Sequence, residues 1–154
     1  MCLAYQSGSD SSFGVRYGKT SVDSQVISQD SIIRALRQSN TPEGSAVAKM
    51  LKRGIIKLNI KDVHPKGYAG LKPHGNNEIF IYTSATKTPQ VAAGYTAHEA
   101  KHYLQKLSAS TYRKIHEFEA YSYQAKVDKT FPLRTSEEIW EFINNQPAYR
   151  HLRD

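Results

Sequence analysis

Apolar positions recur every three or four residues in two early stretches, then alternate, then return to the helical period for most of the remaining chain. The stretch "SQDSIIRALRQ" (28–38) predicts a short helix with Asp30 or Ser31 as its cap. In "SNTPEGSAVAKMLKRG" (39–54), Thr41 is a good N-cap and Pro42 suits the first helical position. Glu43 favours the positive end of the helix dipole, and Gly54 closes a second helix. The period then changes. "IIKLNI" (55–60) is β-branched and predicts a strand, and "HPKGYAGLKPHGNN" (64–77) holds the turn formers of a long loop or hairpin. "EIFIYT" (78–83) alternates Ile79, Ile81 and Thr83 against Phe80 and Tyr82, as a strand with two differently used faces does.

Three helices are expected after this sheet. The first starts at Thr88-Pro89 and runs to about Ser108, and the second starts near Ser110 and continues through "YRKIHEFEAYSYQAKVDK". The third is announced by a capping box, Thr135 with Glu138, and stops before Pro147. Helices, then a small sheet, then helices predict an α+β fold with a small mixed or antiparallel sheet, rather than a parallel α/β sheet. Residues 1–25 are rich in Ser, Gly and Asp and lack periodicity, so a flexible N-terminal leader is expected there, with a single domain over residues 26–154.

Composition narrows the function classes. The chain of 154 residues is 39% apolar and 23% charged, enough for one domain with one core. It has no run of about 18 apolar residues, so no membrane span is expected. The N-terminus has neither a basic start nor an apolar segment of the Sec-type signal. Cys2 is the single cysteine, so a metal site would have to use His, Asp and Glu. The net charge of +7 admits a nucleic-acid or other acidic partner. The basic residues are scattered, however, and no nucleic-acid-reading motif is present. A solvated basic surface is the better account, with nucleic-acid binding as the alternative.

The chemistry concentrates in "GYTAHEAKHYLQKL" (94–107). His98 and His102 stand four apart on a well-capped helix, so they project from one face about 6 Å apart at the backbone. Two imidazoles so placed can each present a nitrogen to one Zn²⁺. Glu99, next to the first histidine, can take a proton from an attacking water and hand it to a leaving amine. The plainer account is a pair of surface histidines with Glu99 in a solvated ion pair. Helical spacing weighs against it. Ala93, Ala97, Ala100, Leu104 and Leu107 form an apolar stripe that should dock on the core, while both histidines share the opposite face with Val91 and Tyr95, like one wall of a cleft. A third ligand should come from "HEFEAYSYQ" (116–124). Glu117 and Glu119 lie about 200° apart around a helix, so at most one faces the site, and periodicity leaves both open.

These two segments resemble the zincin superfamily of metallopeptidases in the gluzincin arrangement, where a His-Glu-x-x-His helix is followed by a helix carrying a ligand glutamate. In the CaaX-processing membrane proteases and antirepressor-type peptidases of that arrangement, the second helix reads Glu-x-x-Ala and its first Glu binds zinc. "EFEA" matches, which implies Glu117 as the ligand and Ala120 as the small residue that permits close helix packing. Two positions depart from the pattern: Tyr121 stands where Asp or Asn is common, and Lys101 where an uncharged residue is usual. The likeness spans about residues 78–128.

The resemblance implies a zincin-like fold, with a small sheet packed on an active-site helix and a second ligand-bearing helix. It implies a zinc metalloendopeptidase acting on a protein or peptide substrate, with zinc on His98, His102 and Glu117 and with Glu99 as base. Such proteins often bind substrate as an added strand, for which the strand carrying Ile79 and Ile81 is the expected edge. An oxyanion stabiliser is expected too; Tyr121 leads, with His64, Tyr68, His74 and Tyr123 as alternatives. Short basic zincin domains behind an unstructured leader resemble bacterial toxin and effector peptidases. That likeness implies secretion by a non-Sec route or delivery into a target cell, with a cytoplasmic location also compatible, and a cognate inhibitor or immunity protein as partner. The rival account is a binding or regulatory module that keeps the fold without proteolysis.

Overall fold

Ser28, rather than Asp30 or Ser31, opens the first helix. In the computed structural model, which describes residues 26–154, α1 covers Gln29–Gln38. The Ser28 side chain accepts from the Ser31 N–H while Ser31 Oγ accepts from the Ser28 N–H, so the two serines cap reciprocally. The expected leader over residues 1–25 lies outside the described residues. The second helix, α2 (Pro42–Lys52), forms as the sequence predicts, with Thr41 Oγ1 accepting from the Gly44 N–H. Gly54 follows at φ +69°, a left-handed conformation that glycine adopts without a Cβ penalty.

The described strands are β1 (Lys57–Lys61), β2 (Gly70–Leu71) and β3 (Glu78–Tyr82), forming one sheet in the order β1-β3-β2. β1 runs parallel to β3 and β2 antiparallel to it, so the sheet is mixed. The turn-rich segment after β1 therefore contributes the short edge strand β2. β3 lies in the middle, paired on both sides, and Ile79 and Ile81 are fully buried. This corrects the expectation that Ile79 and Ile81 line a substrate-binding edge: both belong to the core, and the edge nearest the histidine helix is β2. A central strand has both hydrogen-bonding edges occupied, which its alternation alone does not reveal.

A short turn of helix, α3 (Thr83–Thr86), leads into α4 (Pro89–Gln105), where Thr88 caps through Oγ1 and Pro89 takes the first position. α5 (Lys114–Val127) returns alongside it, and α6 (Ser136–Asn145) carries the predicted Thr135–Glu138 capping box. Among the described residues the architecture is therefore α+β, a small mixed sheet with helices.

α5 starts later than its amphipathic pattern suggests. Ser108 and Thr111 close a turn on each other, and Arg113 is extended and bridges to Arg153. Helical backbone begins only after Arg113, whose N–H donates to His116 Nδ1.

Two apolar clusters make up the core. One gathers Ile32, Leu36, Val47, Ile56, Ile79, Ile81 and the alanines of α4; the other gathers Tyr121, Phe131, Ile139, Ile143 and Tyr149. Trp140 stacks on Phe118 with ring centroids 4.7 Å apart, so the aromatic face of α6 packs on α5. α4 and α5 meet along the seam between the clusters. Gly94 makes that approach possible, because a Cβ there would stand 2.6 Å from Asp128 Cβ. Gly94→Ala should therefore destabilise the protein in a denaturant titration. Overpacking costs about 1–3 kcal/mol and exceeds the roughly 1 kcal/mol of helix propensity gained. A stabilised variant would show that α5 yields freely at this crossing.

Candidate metal centre

The face of α4 carrying the histidines, expected as one wall of a cleft, packs against α5, and His102 at its end borders a cavity. From Ala92 to Ala100 every residue of α4 is buried, whereas Leu104, expected on the core stripe, is exposed. His98 and Glu99 are each 1% exposed, and Glu117 on the facing helix is fully buried. The i, i+4 spacing on α4 and a single inward position on α5 bring three ligand-type side chains together. One ligand atom from each of His98, His102 and Glu117 lies within 4.8 Å of the others.

The individual separations are informative. His98 Nε2 and His102 Nε2 are 3.2 Å apart, His98 Nε2 is 3.5 Å from Glu117 Oε2, and His102 Nε2 is 3.7 Å from Glu117 Oε1. Ligand bonds of about 2.1 Å in a tetrahedral field put neighbouring donors about 3.4 Å apart. The three donors thus already stand near three corners of such a tetrahedron. A fully buried carboxylate is costly unless cationic or hydrogen-bonded groups offset it, and a cation among these donors does so directly. The group could hold a metal ion.

Burial and neighbouring charges set the protonation of the two imidazoles. Burial pushes His102 down to about 4, with the Glu117 charge pulling the other way. His102 is therefore neutral at pH 7. Burial also acts against charging His98, but the hydrogen bond to Glu117 and the charges of Glu99 and Glu117 outweigh it and raise its pKa.

The tautomer of His102 follows from its surroundings. Gln105 Nε2 donates to the His116 carbonyl at 2.9 Å and to Glu119 Oε2 at 3.0 Å, so its Oε1 is left to accept. That oxygen lies 2.9 Å from His102 Nδ1, which must carry the proton; the Nε2 lone pair then points into the donor cluster. Gln105→Leu should leave the fold intact and weaken metal binding by about 10–100-fold, the usual cost of losing such an orienting partner. Titration against a competing chelator measures this, and unchanged affinity would mean that Gln105 orients nothing.

Periodicity left Glu117 and Glu119 open, and the structure separates them. Glu117 faces the histidines. Glu119 turns away, bonded to Gln105 and paired with Lys101 Nζ at 3.3 Å. Lys101, the unusual residue within the motif, is thus engaged beside the centre and lies 5.2 Å from the Tyr123 ring.

Glu99 projects toward the sheet. A Cβ on Gly70 would sit 3.0 Å from Glu99 Oε1 and 3.1 Å from its Cγ, so the carboxylate lies directly against the backbone of β2. A side chain at this position would force the carboxylate to move by a few tenths of an ångström.

Tyr121 does not occupy the position expected of an oxyanion stabiliser. Its ring packs edge-on against His98 at 4.5 Å between centroids, and its hydroxyl lies 2.9 Å from that of Tyr149, inside the second apolar cluster. Buried and turned toward Tyr149, it forms the wall behind His98. The phenol at the centre is Tyr112, whose hydroxyl donates to Glu117 Oε1 and lies 3.5 Å from His102 Nε2. Sequence reasoning missed it because it treats Tyr112 as part of a helix, whereas it stands in the extended stretch before α5. The usable signal was "SAST" (108–111), whose side chains favour a turn over a helix interior. Of the other candidates, His64 stacks on Tyr68, while His74 borders two cavities beside the centre. Comparisons with protein-family models, curated proteins and solved structures give no match to this chain.

Proposed function

We propose that this chain is a zinc-dependent metallopeptidase of the zincin type, acting on a protein or peptide substrate. The observation that carries the proposal is the pairing of a buried His98–His102–Glu117 donor set, spaced as a tetrahedral ion requires, with a second buried carboxylate, Glu99, on the same helix as the histidines. Two imidazoles and a carboxylate with room for one more donor are the ligand set of catalytic zinc. When bound there, Zn²⁺ supplies a Lewis acid that polarises a carbonyl and acidifies water.

The chain's own residues supply the rest. Glu99 accepts the proton of the attacking water and returns it to the leaving amine. Gln105 holds His102 with its lone pair inward, and the Tyr121 ring fixes the plane of His98. The Tyr112 hydroxyl, a donor beside Glu117 and His102, takes the stabilising role toward developing negative charge. β2 is an edge strand, and an extended substrate pairing with it would pass over Glu99, which rests on Gly70. A soluble toxin or effector, delivered by a non-Sec route and restrained by an inhibitor protein, fits this reading of a small basic peptidase.

The test begins with the metal content of purified protein, followed by cleavage of a peptide library with chelator and with zinc restored. Near one zinc per chain and chelator-sensitive cleavage are expected. Cleavage that survives full metal removal overturns the mechanism. Stoichiometric zinc without cleavage would assign the chain to the rival class, a metal-holding binding module.

A further inference from the structure

On one side of the donor cluster, a cavity of about 440 Å³ is bordered by His102 together with Lys72, His74, Asn76, Asn77 and Lys106. Among the described residues on its border there is no aspartate or glutamate. Lys72 is held in place: its Nζ donates to the carbonyls of Pro73 and Asn76, each at 2.5 Å, and lies 5.9 Å from the Tyr103 ring centroid. An ammonium has three N–H bonds, so after these two a third remains for a ligand. Lys106 ends α4 in a left-handed conformation at the rim of the same cavity. The negative end of the α4 dipole also lies here and acts against an anion. The two ammonium groups oppose it.

A second cavity, of about 400 Å³, adjoins the other side of the centre and has a different character. It is bordered by Tyr112, Tyr68, Tyr149, Ala148, Leu152 and His151, and it shares His74 with the first. Among the described residues its border carries no lysine or arginine, so the paired ammonium groups belong to the first cavity alone.

We propose that the Lys72–Lys106 cavity is a carboxylate-binding subsite. A peptide lying across the centre would place a carboxylate there, either an Asp or Glu side chain or a free C-terminus. Its neighbour across the centre would be an aromatic or aliphatic side chain. The substrate class rests on the peptidase reading above; the carboxylate site itself does not.

The experiment separates the two. Zinc-supplemented Glu99→Gln protein is titrated calorimetrically with acetyl-Ala-Phe-Glu-Ala-amide, acetyl-Ala-Glu-Phe-Ala-amide, their Gln counterparts, and acetyl-Ala-Phe-Ala with a free or an amidated C-terminus. At least one carboxylate peptide should bind about tenfold or more tightly than its neutral partner, and the advantage should shrink in high salt. It should also fall several-fold in Lys106→Gln, whose exposed side chain can be changed without disturbing the fold, and further in Lys72→Met. A side-chain preference marks an internal acidic residue as the determinant, and a preference only for the free terminus marks a carboxypeptidase; either supports the subsite. Equal binding of charged and neutral partners, no binding by any of them, or an advantage untouched by both lysine substitutions overturns it. Cleavage by the wild-type protein without carboxylate preference sinks the subsite alone. Carboxylate-selective binding by a protein that cleaves nothing sinks only the peptidase reading.

Discussion

Glu99→Gln should keep its metal and lose hydrolysis by about 10²–10⁴-fold, the contribution of a well-placed general base. The substitution preserves shape, so the carboxamide should still fit in the space above Gly70. The nearest ligand atoms belong to His98, His102 and Glu117, and none of them is altered. What disappears is the capacity to accept a proton. Metal content and kcat/KM measured on the same preparation check both halves. Wild-type turnover in the glutamine variant would sink the mechanism, and simultaneous loss of metal would make Glu99 a structural part of the donor cluster.

A comparison of Glu117→Ala with Glu119→Ala should give the second large effect. Glu117→Ala removes one of three donors, itself fully buried, and metal affinity should fall by more than about 100-fold, beyond the cost of an orienting partner alone. Glu119→Ala should cost less than about tenfold. Its carboxylate is well outside the cluster and acts only through Gln105 and Lys101. Competition titrations with matched melting curves distinguish lost ligation from lost fold. The reverse order of effects would mean that α5 is rotated about its axis relative to the arrangement described here.

Part of this site was legible before any coordinates. His98 and His102 share a face because of covalent geometry and the helical period, and Thr88 with Pro89 secures the helix that carries them. Glu99 follows from adjacency. Glu117 was reached only through resemblance to a motif; helical periodicity alone could not choose between it and Glu119. Orientation about the α5 axis is decided by close packing at Gly94, Ala120 and Asp128, which are far apart in sequence.

The misplacements share a cause. Tyr121 and Tyr112 are both tyrosines near the motif, and their roles differ because one lies on the inward face of α5 and the other in the turn before it. Ile79 and Ile81 have the alternation of a strand whether it lies at an edge or in the middle; the pairing of β2 with β3 decides which. β2 itself is two residues long and has no periodicity to detect.

By itself, the sequence determined the longer helices with β1 and β3, the caps at Thr41, Thr88 and Thr135, the α+β class and the pair of histidines on one helix. Those properties arise from interactions within a few residues, where propensity, capping and side-chain period act directly. Only the tertiary structure decided that Glu117 and Tyr112 meet the histidines, that Gly70 makes room for Glu99, and that two cavities of different character flank the centre. These depend on how close α4, α5 and β2 come to one another. That distance is set by small residues and buried contacts between distant parts of the chain.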